Sequence, residues 1–254
     1  FYNSVGAKLE EGLAALSGSA AVAAAVAKVS GVVPQIAVVT GTCAGTNAIN
    51  AASADVCVMA EDAELLLNAP FNAEDKVANA GSAAFAAKAG VAAVTAADAV
   101  AAAKQAASIV ALLPANNLAG PALFDFVAPS KALDLVKYTA ADAVAALADE
   151  GSAVELYAGY GKNIVTALAT INGSAVGIVA TEKKALCHKC IAKAARFVRL
   201  CDAYSIPVVT IVNTEGFGRS EGDDEAGGIR QAARMAGVYA EPTRHSLISY
   251  AVFC

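Results

Sequence analysis

The chain has 254 residues, 57% of them hydrophobic and 16% charged, with a formal net charge of −5. That length allows one large domain or two small ones, and an acidic balance without a long basic run excludes a phosphate-gripping nucleic-acid surface. Mean hydropathy is +0.54, yet no run of about 18 or more apolar residues lacks a charge or breaker, which excludes a membrane-spanning helix.

In chain order, residues 1–6 read as the end of a strand entering a loop, as if the chain starts inside an element. Phe1-Tyr2-Asn3-Ser4 has no basic region followed by an apolar core, so it does not read as a secretory signal. Residues 8–29 predict a helix, with Leu9, Leu13, Leu16, Val22, Val26 and Val29 recurring at three-to-four spacing. The stretch 31–34 ends it. A β-type run over 36–40 then enters Gly41-Thr42-Cys43-Ala44-Gly45-Thr46-Asn47, a loop of small residues. That loop feeds an Ala-rich helix over 48–54 and a strand over 55–60. Strand, small-residue turn and helix start leave backbone N–H groups unpaired, and small side chains let a carbonyl oxygen approach them. Such donors suit an oxygen that gains negative charge in a reaction. A plain tight turn, with glycines for steric reasons, accounts for the same letters.

A short apolar strand is expected over 64–71, and Ala-rich helices over 73–90 and 96–113. Pro114-Ala115-Asn116-Asn117 is a stop and linker signal, dividing the chain into units 1–115 and 116–254. In the second half Thr139 caps a helix over 140–148. Strands follow over 154–158, 164–171 and 175–181, the last two joined by the hairpin turn Asn172-Gly173. A helix over 185–204, a buried strand over 206–212, a helix over 225–239 and a strand over 247–253 complete the order. Strand, acidic-Gly pair, helix and strand recur, once around Glu11-Gly12 and once around Glu221-Gly222, a weak internal repeat. Such a repeat calls for a second small-residue loop after residue 253.

The six cysteines, Cys43, Cys57, Cys187, Cys190, Cys201 and Cys254, suit reduced thiols in a cytoplasm better than a disulfide scaffold. Cys187-His188-Lys189-Cys190 is a lone Cys-x-x-Cys; zinc needs about two further ligands nearby, none is evident, and no metal is expected. With only His188 and His245, no Ser-His-Asp arrangement is found.

Four stretches resemble the carboxyltransferase subunit of biotin-dependent acyl-CoA carboxylases and decarboxylases, in the crotonase superfamily. Asn3-Ser4-Val5-Gly6-Ala7-Lys8-Leu9-Glu10-Glu11-Gly12 is similar to the family's Asp-Ser-Gly-Gly-Ala-Arg-(Ile/Leu)-Gln-Glu-Gly. Pro34-Gln35-Ile36 through Gly41-Thr42-Cys43-Ala44-Gly45-Thr46 resembles its Pro-Gln-Ile…Gly-Pro-(Cys/Ala)-Ala-Gly-Gly. Ala158-Gly159-Tyr160-Gly161-Lys162-Asn163-Ile164-Val165 with Gly177-Ile178-Val179-Ala180 looks like the start of its C-terminal half. Lys193-Ala194-Ala195-Arg196-Phe197-Val198-Arg199, Cys201-Asp202, Ile206-Pro207 and Glu215-Gly216-Phe217 resemble its stretch ending in Pro-Gly-Phe. Val5, Lys8, Thr46 and Glu215 depart from the usual Gly, Arg, Gly and Pro.

The resemblance implies an α/β fold of crotonase-like ββα spirals in two related halves, both incomplete at the chain ends, as in a fragment of a longer subunit or a variant lacking half of the usual site. It implies carboxyl transfer between N-carboxybiotin and the α-carbon of a short acyl-CoA. Gly45 and Thr46 would offer amides to the thioester enolate, while Ser4, Gly6, Ala7, Lys8 and Ala44 would meet the acyl-CoA. Gly216 and Phe217 would line the biotin side, or form only a strand-end turn with a core aromatic. Lys189, Lys193, Arg196 and Arg199 fall at helical spacing, either as a solvated or interface face or as contacts to coenzyme A phosphates. Biotin would arrive on a biotin carboxyl carrier protein, the site would lie at an interface of a homo-oligomer, and a membrane-bound decarboxylase partner is compatible. The alternatives are another crotonase-type acyl-CoA enzyme, a hydratase or thioesterase using Glu61, Asp62 or Glu64, and a non-catalytic scaffold subunit.

Overall fold

The structure, a computed structural model, describes residues 1–68, 79–134, 137–240 and 249–252. It comprises two compact units, Phe1–Val110 and Ala111–Cys254, so the division falls a few residues before the one expected at 115 and lies within a helix.

The first unit is built on a parallel sheet of β1 (Tyr2–Ser4), β2 (Ile36–Ala44), β3 (Val56–Ala60), β4 (Glu64–Leu66) and β5 (Val94–Ala96), ordered β1-β2-β3-β5 with β4 against the end of β2. Its helices are α1 (Leu13–Val29), α2 (Thr46–Ser53), α3 (Ala83–Lys88) and α4 (Ala99–Leu112). Every residue of β3 is buried, as suits a parallel strand covered on both faces, whose sequence is a near-continuous apolar run.

Several boundaries correct the sequence reading. α1 starts at Leu13, after a single 3-10 turn at Leu9–Glu11, and none of its residues is buried. Its apolar spacing therefore does not mark a face packed within this unit. The strand expected over 64–71 is Glu64–Leu66 where described, and 69–71 lie outside the described residues. Of the helix expected over 73–90, Ala83–Lys88 is seen, started by Ser82, whose Oγ accepts the Phe85 N–H at 3.4 Å; 73–78 lie outside. The helix expected from residue 96 starts at Ala99, because Asp98 Oδ1 caps the Ala101 N–H at 2.7 Å. The preceding Val94–Ala96 pairs with β3 instead, a strand too short to show as an alternating pattern.

The second unit carries a sheet ordered β10-β9-β8-β7-β6, from β6 (Val154–Leu156), β7 (Ile164–Ile171), β8 (Ser174–Thr181), β9 (Val208–Val212) and β10 (Ser249–Val252). β6, β7 and β8 are antiparallel, whereas β8, β9 and β10 run parallel. α5 (Ala140–Leu147) and α6 (His188–Ala203) cover opposite faces. Val176, Ile178 and Ala180 join the α5 core, while Gly177, pointing the other way, lies against Phe197 and Cys201 of α6. The helix expected over 225–239 is two helices, α7 (Glu221–Glu225) and α8 (Gly228–Ala240), broken at Gly227 with φ 79°. Both units contain a parallel strand–helix–strand element, β1–α1–β2 and β9–α7–α8–β10, matching the order of the internal repeat. Among the described residues no helix is long and apolar enough to cross a membrane.

Two polar groups organise this unit. Asn172 (φ 51°) and Gly173 (φ 75°) form the β7–β8 turn. Asp149, only 3% exposed, accepts the Asn172 and Gly173 N–H groups at 2.9 and 2.7 Å and the Thr170 hydroxyl at 2.7 Å. Burial pushes its carboxyl up, but these hydrogen bonds outweigh it and hold the pKa below the usual carboxylate range. Lys193, placed by its spacing on a solvated or interface helix face or against coenzyme A phosphates, is instead 2% exposed within its own unit. Its Nζ donates to the Ile164 carbonyl at 2.8 Å, and burial lowers its pKa to about 8.

The signs of two pH effects follow. Asp149 has a depressed folded pKa, so its stabilisation is present above the ordinary carboxylate pKa and lost as pH falls through the depressed one; Asp149→Asn should flatten that part of the acid unfolding profile. Lys193 binds its proton more weakly when folded, so stability should rise with pH between about 8 and 10.5. Denaturant titrations across that window should show a shallower slope in Lys193→Met.

Candidate active site

β2 changes partners along its length. Ile36 to Val39 pair with Val56 to Met59 of β3, and Thr42 to Ala44 pair with Glu64 to Leu66 of β4. On its other edge, Tyr2 is opposite Val39 but Ser4 is opposite Cys43, a register shift in which β2 has two more residues than β1 between the paired positions. The irregularity falls at Thr40-Gly41. The Thr40 hydroxyl donates to the Tyr2 carbonyl at 3.5 Å, and the Asn3 side chain lies over Gly41 where any Cβ would run into it. Gly41 is thus a glycine for close approach, as in a β-bulge.

Because β1 and β2 are parallel, the segments leaving Ser4 and Ala44 emerge side by side at the carboxyl ends of neighbouring strands, where open α/β sheets bind ligands. Ser4 Oγ accepts the Gly6 N–H at 3.4 Å. Gly6 packs beside the Ala44 carbonyl, with space for a Cβ 3.8 Å away. Gly45 turns the chain with φ 63° and ψ −132° and caps α2 without a side-chain hydrogen bond.

The amides at this bend correct one expectation. Gly45 N–H is already bonded to the Leu66 carbonyl at 3.0 Å, so it does not face an incoming oxygen. Thr46 N–H, the first of α2, has no acceptor among the described residues, and neither has Ala7 N–H on the adjacent loop. The Thr46 hydroxyl donates to Ser19 Oγ of α1 at 3.3 Å. Ala7 was expected only as a contact to acyl-CoA. Lys8 N–H on the same loop also has no acceptor among the described residues, and local spacing does not reveal that this loop leaves the sheet beside the bend after β2. Lys8 is exposed. Cys43, beneath the bend, is buried and burial pushes its thiol up, which suits packing rather than nucleophilic attack.

In the second unit Gly216 and Phe217 lie in the segment after β9, where Phe217 makes a parallel bridge with Leu186. The Gly216 carbonyl accepts the Leu186 N–H at 2.8 Å, Gly218 N–H returns to the Leu186 carbonyl at 2.8 Å, and Gly216 N–H is bonded to Thr214 Oγ1 at 3.2 Å. Phe217 borders an apolar cavity of about 680 Å³ between the sheet and α8, lined also by Ile164, Val179, Ile229 and Met235. The start of α6 is fastened to α7: Asp223 Oδ1 accepts His188 N–H at 2.9 Å and lies 2.7 Å from His188 Nδ1, while Ser220 Oγ donates to Oδ2 at 2.7 Å. These bonds, led by that from the His188 amide, lower the Asp223 pKa to about 2. Sequence spacing could not reveal the His188–Asp223 pair, which spans 35 positions. Lys189, Arg196 and Arg199 are exposed on α6, without Lys193. No group of three or more metal-ligating side chains occurs among the described residues.

Residues 1–248 match the model of the carboxyl transferase domain. The methylmalonyl-CoA carboxyltransferase 12S subunit of Propionibacterium freudenreichii subsp. shermanii is 36% identical over 264 residues, covering 96% of this chain and 50% of that protein. The methylmalonyl-CoA decarboxylase subunit alpha of Veillonella parvula is 30% identical, covering 95% of this chain and 52% of that one. The crystal structure of a transcarboxylase 12S hexamer with methylmalonyl-coenzyme A and methylmalonic acid bound superposes with a TM-score of 0.87 at 34% identity, over 95% of this chain and 51% of that chain. The fold is therefore the crotonase-like one expected, and the chain spans about half the length of the curated relatives it matches. By its sequence match over nearly its whole length and by its fold, the chain belongs to the carboxyl transferase domain family.

Proposed function

We propose that the chain supplies the acyl-CoA side of a biotin-dependent carboxyltransferase, acting on a short acyl-CoA thioester in either the carboxylase or the decarboxylase direction. The observation that supports this best is the pair of unbonded amides, Ala7 and Thr46, at the carboxyl ends of two adjacent parallel strands. When a proton or a carboxyl group leaves the α-carbon of a thioester, negative charge moves onto the thioester oxygen. Two preformed backbone donors hold that oxygen without reorganisation, and no side-chain nucleophile is needed. Ser4, Gly6, Lys8 and Ala44 surround the same loop and would contact the coenzyme A portion, in which Lys8 could pair with a phosphate.

Biotin on its carrier protein supplies the mobile carboxyl group. The apolar cavity beside Gly216 and Phe217 suits its fused ring. The Gly216 amide is already bonded and is not a free donor for the ureido oxygen. The relatives' assembly bears on α1, whose Leu13 and Leu16, neighbours on one side of the helix, are 83% and 64% exposed. An apolar helix face of that kind is a subunit-interface surface, consistent with a site completed by a second subunit in a homo-oligomer.

Proline is tolerated at the first position of a helix but carries no N–H, so Thr46→Pro removes one donor with little effect on α2. Carboxyl exchange between methylmalonyl-CoA or malonyl-CoA and biotin should fall roughly 100- to 1000-fold, with the melting temperature within a few degrees of the wild type, since the threonine's bond to Ser19 is lost as well. Unchanged exchange in Thr46→Pro rejects the assigned donor. An inactive wild type that binds no acyl-CoA by calorimetry rejects the whole assignment. Separately, Leu16→Glu should lower the mass measured by light scattering; an unchanged mass rules out α1 as an interface.

A further inference from the structure

The first turn of α6 holds two thiols that carboxyl transfer does not use. Cys187 is the N-cap residue and Cys190 the third residue of the helix. Their Sγ atoms are 3.0 Å apart, about 1 Å longer than a disulfide bond. Cys187 has extended backbone (φ −78°, ψ 166°) and makes no side-chain capping bond, so joining its sulfur to another atom removes no cap. Gly161 closes over the Cys190 backbone, leaving only 2.9 Å for a Cβ. Cys187 is half-buried and Cys190 fully buried, so a reagent meets Cys187 first. Cys43, Cys57 and Cys201 are all buried.

We propose that Cys187 and Cys190 form a reversible dithiol–disulfide site that is oxidised by low-molecular-weight disulfides. The Cys187 thiolate attacks one sulfur of the reagent, forming a mixed disulfide and releasing one thiolate. Cys190 then gives up its proton and attacks Cys187 Sγ, expelling the second thiolate. Both thiol protons end on the two released thiols, and the reagent is reduced by the two electrons that the protein loses. Burial pushes the Cys190 thiol up to about 11, while its sulfur, 3.0 Å from that of Cys187, is in place for the second attack. The site stands independently of the carboxyl-transfer reading.

The test is to incubate the full chain in buffers of graded reduced and oxidised glutathione, alkylate with iodoacetamide and digest with trypsin. Cleavage after Lys189 separates the two cysteines. Peptides 185–189 and 190–193 should be recovered joined, two hydrogens lighter than the two thiol peptides together, and should be released by dithiothreitol. Cys190→Ser should stop at a glutathione adduct on Cys187, and Cys187→Ser should give neither product. A wild type that accumulates only the adduct, or whose two cysteines are alkylated at every ratio, overturns the proposal.

Discussion

The first unit depends on one shared strand. β2 cannot pair along its whole length with a single neighbour, because β3 takes its first half and β4 its last three residues. The change of partner occurs where β2 is two residues longer than β1 between their paired positions. Asn3 lies in the space that Gly41 leaves open, and Thr42 Oγ1 donates to Glu64 Oε2 at 3.1 Å to hold the new pairing. This bend directs the chain into Gly45 and α2, and it sets the small-residue segments after β1 and β2 beside each other. Lengthening either strand or adding a side chain at residue 41 would misplace both sets of amides together.

The same pairing decides which donors are available. At a helix start the first N–H groups have no helical partner, so sequence alone offers Gly45 and Thr46 equally. β4 removes the ambiguity, since its Leu66 carbonyl binds Gly45 N–H. Thr46 is left, and the loop after β1, some 39 positions earlier in the chain, leaves the sheet alongside the bend that holds it. The threonine that stands in place of a second glycine gives its hydroxyl to Ser19 of α1.

In the second unit the polar groups act as fasteners. Asp149 fixes the β7–β8 turn, Lys193 ties α6 to the start of β7, and Asp223 joins the first turn of α6 to α7. The Leu186 and Gly216 backbone bonds place that same turn of α6 against the loop after β9. Cys187 and Cys190 therefore sit at a joint held by several independent hydrogen bonds.

Local chemistry was enough to read many features from the residues alone: the Asn172-Gly173 hairpin, the Thr139 cap, the apolar runs of β2, β3 and β9, and the small-residue bend after β2. Each is set by interactions within a few positions, which is also why the family motifs are visible in the letters. Tertiary structure alone decided that Lys193 points inward, that no residue of α1 is buried, that Val94–Ala96 joins the sheet, and that Gly45 has its amide bonded while Thr46 does not. Those outcomes depend on which distant strand or helix arrives alongside, and a side chain's spacing along the chain does not record its neighbours across a sheet.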